Sequence, residues 1–213
     1  MNPKTRQRAA AAPARAKKPA DRAPAAPAPA ARPARERMVL AAASLLSERG
    51  LSGTSFSEVL ERSGAPRGSI YHHFPEGKDA LAAEAVELVA RHLLALLRQR
   101  DASTPKQVMR RFVEAWRAVL ARSGCQAGCA IAAVAHERLE HPALGERAAA
   151  VFVAWEHELQ AALHAAGLSK ARARSAAALA LAAVEGALIL CRARGELGPL
   201  DAVDEALAAF VSG

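Results

Sequence analysis

The chain is predicted to be all-α, and three observations carry the prediction. Past residue 33, apolar residues recur three and four apart, the spacing of one helix face. Alanine and leucine abound while aromatic residues make up only 4% of the sequence, a composition that favours helices over strands. No segment alternates with period two for long enough to form a strand. Breaks at Gly50, Gly64, the 75–77 link, Pro105, Gly124 and Gly128, Pro142, Gly167 and Gly198-Pro199 divide the periodic part. The resulting helices lie near 35–49, 56–63, 67–73, 78–100, 105–122, 129–138, 143–166, 170–193 and 201–211.

Residues 1–33 stand apart. Residues 1–37 hold ten Lys and Arg against Asp21 and Glu36, and the rest of the chain holds nineteen of each sign, so the net charge of +8 reports the N-terminal segment. That segment is nearly all Ala, Pro, Arg and Lys and has no aromatic residue. It cannot bury enough apolar area to offset its ordering entropy, which predicts disorder. As a basic arm it would lie along DNA phosphates or in a minor groove; as a plain extension it would only aid solubility. No apolar run follows the early basic residues, so a signal peptide is not expected.

Two short helices follow the first long one. Ser55 and Glu58 stand three apart, the spacing of a capping box, and predict a helix start. Val59 and Leu60 supply its inward face, and Gly64 ends it at a turn. Pro66 is placed near the first turn of a second helix, where a missing N–H is harmless. That helix has two apolar anchors, Ile70 and Phe74, among Arg67, Ser69, Tyr71, His72 and His73. So many donors around two anchors suit a helix facing a polar, anionic partner.

The segment from about 35 to 88 resembles the DNA-binding domain of the TetR family of bacterial transcriptional regulators. The resemblance rests on Gly50 with Thr54 and Ser55, on Gly64-Ala65-Pro66-Arg67-Gly68-Ser69-Ile70-Tyr71-His72-His73-Phe74, and on Lys78 with Leu81. Pro66 stands where the family often has Ser or Thr, and the link 75–78 is one residue longer than is common. That insertion, with Gly124-Cys125-Gln126-Ala127-Gly128-Cys129, is similar to the LmrA/YxaF-like subgroup. The resemblance implies an N-terminal helix-turn-helix domain over 34–80 and an effector-binding and dimerisation domain over 81–213. It implies DNA contacts from Thr54, Ser55, Arg67, Gly68, Ser69, Tyr71, His72, His73 and Lys78, with Tyr71 and Lys78 on the backbone.

Between 105 and 166, Phe112 and Trp116 are four apart, and Phe152 and Trp155 are three apart. Such pairs form either ordinary core or the walls of an apolar cavity between helices. Cys129, Ile131, Ala132 and His136 lie between them in sequence and are expected to line the same space. The helix over 170–193 carries no charge from 175 to 184, but its alanines, Glu185 and the flanking Arg172, Arg174, Arg192 and Arg194 argue against a membrane span. Ala176, Ala180, Ala183 and Ala187 form a small-residue stripe, which suits close packing in its own domain or, as the resemblance implies, against a second copy. Glu185 requires an Arg partner or a place at a polar pocket edge.

Cys125, Cys129, His136 and His141 do not have the spacing of a common zinc site, and no phosphate loop or nucleophile–base pattern is present. Three cysteines without a secretory signal fit a reducing compartment, hence a cytoplasmic protein. The expectation is a cytoplasmic, homodimeric, non-enzymatic repressor without metal or cofactor, off the membrane. It would be released from a palindromic duplex operator by a small hydrophobic effector. The competing expectation is a helical interaction or small-molecule-binding protein that reads no specific DNA.

Overall fold

The computed structural model describes residues 32–99 and 102–213, which places the N-terminal basic segment, apart from its last two residues, outside the described residues. The described residues form helices α1 (Ala34–Arg49), α2 (Phe56–Ser63), α3 (Ser69–His73), α4 (Lys78–Leu97), α5 (Pro105–Ser123), α6 (Ala130–His136), α7 (Pro142–Ala165), α8 (Lys170–Arg194) and α9 (Gly198–Ser212), with no strand among them.

Local chemistry explains most of the boundaries. The Ser55 hydroxyl accepts the Glu58 N–H at 3.3 Å and the Glu58 carboxylate accepts the Ser55 N–H at 3.1 Å, so α2 begins with a full capping box. Thr104 and Gln107 repeat the arrangement at α5, with Pro105 in its first turn. Ser169 caps α8 by accepting the Arg172 N–H at 3.3 Å. Gly64, at φ 63°, ends α2 in the left-handed region. The α4 helix ends three residues earlier than the sequence predicts, and α3 and α9 depart at their starts. The α3 helix begins at Ser69 because Pro66 lies in the preceding turn, its carbonyl accepting the Ser69 N–H at 3.0 Å. The α9 helix starts three residues earlier than expected, with Pro199 in its first turn.

The core runs without a gap from α1 to α9. Met38, Ala42, Leu45 and Leu46 bury one side of α1, which packs on α2, α4 and α6. Leu81, Ala85 and Val86 carry the inner face of α4, which continues onto α7. The α8 helix packs on α7 and α9, and α9 on α5. Length and composition would allow α8 to cross a membrane, but its face through Ala173, Ala177, Leu181, Val184 and Leu188 is core in this fold.

Gly64 has open space where a side chain would go, so its role is purely conformational. Gly64→Ala should therefore destabilise the protein by about 1 kcal/mol, the order of the left-handed penalty for an L-residue, as read by urea unfolding. A loss several times larger would mean that the turn is held by packing instead.

Candidate DNA-reading surface and effector groove

The α2–turn–α3 unit is held from behind. Ile70 and Phe74 are buried, and the Arg35 guanidinium lies 5.2 Å from the Phe74 ring while pairing with Glu84 on α4. Arg37 Nε donates to the Ser63 carbonyl at 2.9 Å, and Arg62 reaches Glu48 at 2.6 Å, fixing α2 on α1. With its apolar side anchored, the unit presents Arg67, Gly68, Tyr71 and His72 to solvent, with His73 half-buried beside them. Tyr71 is 67% exposed and stands edge-on to Phe56 with ring centroids 5.6 Å apart, which fixes the direction of its hydroxyl.

Three other expected DNA contacts have different positions. Thr54 is only 3% exposed, and its hydroxyl donates to the Gly50 carbonyl at 2.7 Å, so it shapes the loop before α2 and is removed from the surface. The Ser69 hydroxyl donates to the Pro66 carbonyl at 2.6 Å and is occupied by the turn. Lys78 is half-buried, and its Nζ donates to the Leu51 carbonyl at 3.1 Å, tying the head of α4 to the α1–α2 connection. Ser55 remains exposed at the N-terminus of α2.

Of the residues expected to wall an effector cavity, Phe112, Trp116, Ile131 and Trp155 are buried in packed core. Trp116 and Trp155 meet edge-on at 6.0 Å, Phe152 meets Trp155 at 5.7 Å, and the Trp155 indole donates to the Ala90 carbonyl at 3.3 Å. The Trp116 Nε1 is buried without a hydrogen-bond partner among the described residues. The opening lies to one side. A groove of about 300 Å³ between α7 and α8 is lined by Phe152, Val153, Glu156, Ala178, Leu181, Ala182 and Glu185. Phe152 is thus the expected aromatic that reaches it. His136 is exposed, because Ile131 and Val134 set the inward face of α6 and position 136 falls on the opposite side. Cys129 is buried at the head of α6, where its sulfur accepts the Ala132 N–H at 3.4 Å and its thiol meets the Glu185 carboxylate. Among the described residues Glu185 has no cationic partner, so it takes the pocket-edge place the sequence allowed. Burial pushes its carboxyl up to about 7, against the pull of the Cys129 hydrogen bond.

The expected dimer stripe is turned inward. Ala176, Ala180 and Ala187 are buried within the chain's own core and Ala183 is half-buried. Their small size lets α8 approach its own neighbours closely, so they cannot present a surface to a second copy. The outward face of α8 carries Leu179, Ile189 and Leu190, with Phe210 of α9 also exposed.

Sequence reasoning also missed a junction. Glu137, just past α6, accepts the Leu51 and Ser52 N–H groups at 2.9 and 3.0 Å. Burial works against its charge, but these bonds and the Ser52 hydroxyl outweigh it and hold its carboxyl below the ordinary value. Gly128 N–H donates to the Ser47 carbonyl at 2.7 Å, and Arg192 of α8 donates to the Glu48 carbonyl at 2.7 Å. The end of α1 and the loop after it are therefore gripped from both ends of α6 and from α8 as well as from α4. Gly128 in the 124–129 segment was a visible signal; Glu137 offered none.

The sequence profile of bacterial regulatory proteins of the tetR family matches residues 39–85, and that of the LmrA/YxaF-like transcriptional regulator C-terminal domain matches residues 105–206. An uncharacterised HTH-type transcriptional regulator of Mycobacterium tuberculosis is 39% identical over 179 residues, covering 81% of this chain and 91% of the relative. The HTH-type transcriptional regulator LmrA of Bacillus subtilis is 30% identical over 165 residues, covering 74% of this chain and 85% of LmrA. A TetR transcriptional regulator from Legionella pneumophila shares the fold, with a TM-score of 0.76 over 83% of this chain and 96% of that one, at 22% identity. Another, from Chloroflexus aurantiacus, has a TM-score of 0.66 over 84% and 94%, at 27% identity. The chain belongs to the TetR family of DNA-binding transcriptional regulators, in its LmrA/YxaF-like branch, a family of transcription factors and not of enzymes.

Glu185 generates a pH prediction. Its folded-state pKa of about 7 lies above the ordinary 4.5, so its favourable effect is complete below 4.5 and is lost as pH rises through about 7. Unfolding of the wild-type chain followed at a series of pH values should lose about 3 kcal/mol relative to Glu185→Gln across that window. Parallel curves for the two proteins would show that the carboxylate is solvated.

Proposed function

We propose that the protein is a homodimeric repressor acting in the cytoplasm on a two-fold DNA site, and that a small hydrophobic molecule releases it. The observation that carries the DNA-reading half is the exposed row Arg67, Gly68, Tyr71 and His72, with the half-buried His73 beside it, held on the buried anchors Ile70 and Phe74. Arg67 and His72 have donors for base edges, and the Tyr71 hydroxyl has the reach of a phosphate oxygen. The domain division at 34–80 and 81–213 is retained as a division of labour, with α1 and α4 shared physically between the two.

A dimer on such a site must hold two α3 helices about one DNA turn, roughly 34–36 Å, apart. The outward apolar side chains of α8 and α9 supply a surface for that pairing. The α7–α8 groove supplies an effector site. A ligand seated there would part α7 from α8. Because α8 holds the Glu48 carbonyl through Arg192 and touches the head of α6 through Glu185, the end of α1 would move with it. Such a ligand shifts the DNA-competent population only by its difference in affinity for the two spacings.

Gel-shift titration against the promoter region of its own gene tests the reading, with retention under excess non-specific DNA as the expected result. Equal loss to any competitor would favour a protein that reads no specific sequence. Within that assay, Tyr71→Phe should weaken specific and non-specific complexes alike, by about 1 kcal/mol or roughly fivefold, whereas His72→Ala should change which sequence is preferred. A switched preference in Tyr71→Phe would reverse the two roles. For the dimer, Ile189→Asp should convert the sedimenting species from two copies to one without loss of helicity, since Ile189 is 61% exposed. An unaltered dimer would move the interface off this face.

A further inference from the structure

The α7–α8 groove has a chemistry more specific than apolarity. Its walls are Phe152, Val153, Leu181 and two alanines, and its polar groups are the carboxylates of Glu156 and Glu185, with no basic side chain in the lining. Glu156 lines the groove from α7 and Glu185 from α8, where Glu185 has the Cys129 thiol as its side-chain partner among the described residues. A thiol is a weak donor and leaves most of a carboxylate's hydrogen-bonding and charge requirement unmet. An ionised carboxylate in that position stays costly until a cation arrives. Two arginines of its own helix are turned to other partners: Arg192 donates to the Glu48 carbonyl and Arg172 to the Phe210 carbonyl. The groove's volume of about 300 Å³ fits a small ligand, at the lower end of known sites.

We propose that the effector is a lipophilic cation, an amine or quaternary ammonium whose charge is received by Glu185 while its apolar body lies against Phe152 and Leu181. This rests on the reading of the α7–α8 groove as the effector site. Phe152 adds to the fit, because an aromatic ring lining the groove attracts a cation or its attached methyl groups. The Glu185–Cys129 contact gives the ligand a physical connection to DNA binding. A cation that draws the carboxylate outward takes it from the head of α6, whose far end is followed by the Glu137 grip on Leu51 and Ser52.

The test compares two molecules with the same phenylbutyl body on the full chain by isothermal titration calorimetry at pH 8: 4-phenylbutyltrimethylammonium and the neutral 4-phenylbutanol. The expected result is at least tenfold tighter binding of the cation by the wild-type chain. In Glu185→Gln, a near-isosteric change, that preference should vanish while the affinity for the alcohol persists. Equal binding of the two molecules by the wild type, no binding of either, or a preference that survives in Glu185→Gln would overturn the proposal. So would loss of the dimer in Glu185→Gln by sedimentation, which would assign the carboxylate to the partner copy. The wild-type preparation is assayed separately by gel shift. Cation selectivity without operator binding would strike the repressor reading alone, and operator binding without cation selectivity would strike this inference alone.

Discussion

A helix of five residues has no stability of its own, and α3 is such a helix. Helix nucleation fixes several residues for one hydrogen bond, so a segment this short persists only where tertiary contacts hold it. The remainder of the structure can be understood from that constraint. Ile70 and Phe74 are the two points by which α3 is fastened, and each is fully buried. Around them Arg35 covers the Phe74 ring, Arg37 holds the end of α2, and the Gly64 turn sets the approach of the chain. The polar side chains of α3 remain available because the fastening uses none of them apart from Ser69.

The same constraint makes the position of α3 adjustable from a distance. The α1–α2 connection is tied by the Glu137 carboxylate to the end of α6 and by Lys78 to the head of α4, and the end of α1 is held by Arg192 of α8 and by the Gly128 N–H before α6. Most of these are charge-assisted bonds to backbone groups, which are directional and stronger than neutral ones. They can transmit a displacement of α6 or α8 to the reading surface without deforming a packed core. Glu185 lies at the other end of this connection. Among the described residues it is the carboxylate whose environment most disfavours charge, and the groove that exposes it is bounded by the two helices whose separation matters.

The expected and observed positions of particular residues show where sequence reasoning has power. Ser55 with Glu58, Pro105 and Gly64 are local signals, since a cap, a first-turn proline or a left-handed turn involves groups within four residues. Thr54 was misplaced because its hydroxyl's destination, the Gly50 carbonyl, depends on a loop path that the motif does not encode. The Ala176, Ala180, Ala183 and Ala187 stripe was read with correct periodicity and the wrong direction. Small residues signal close helix approach, but not whether the approaching helix belongs to the same chain. His136 failed for a related reason, since a seven-residue helix shows too few turns to reveal its inward face.

By itself, the sequence determined the all-α class, most of the helix boundaries to within a residue, the helix-turn-helix and the family, because each depends on residues close together in the chain or on a motif of contiguous positions. It also determined that Glu185 needs a partner or a polar edge, since burying a lone carboxylate is costly in any fold. Which of those alternatives holds was decided only by the tertiary structure, as were the inward turn of the alanine stripe, the packing of the aromatics into core beside the groove, and the Glu137 junction. Those outcomes depend on contacts between residues tens of positions apart, such as Glu137 with Leu51, 86 residues away, and no local spacing records which distant surface will arrive.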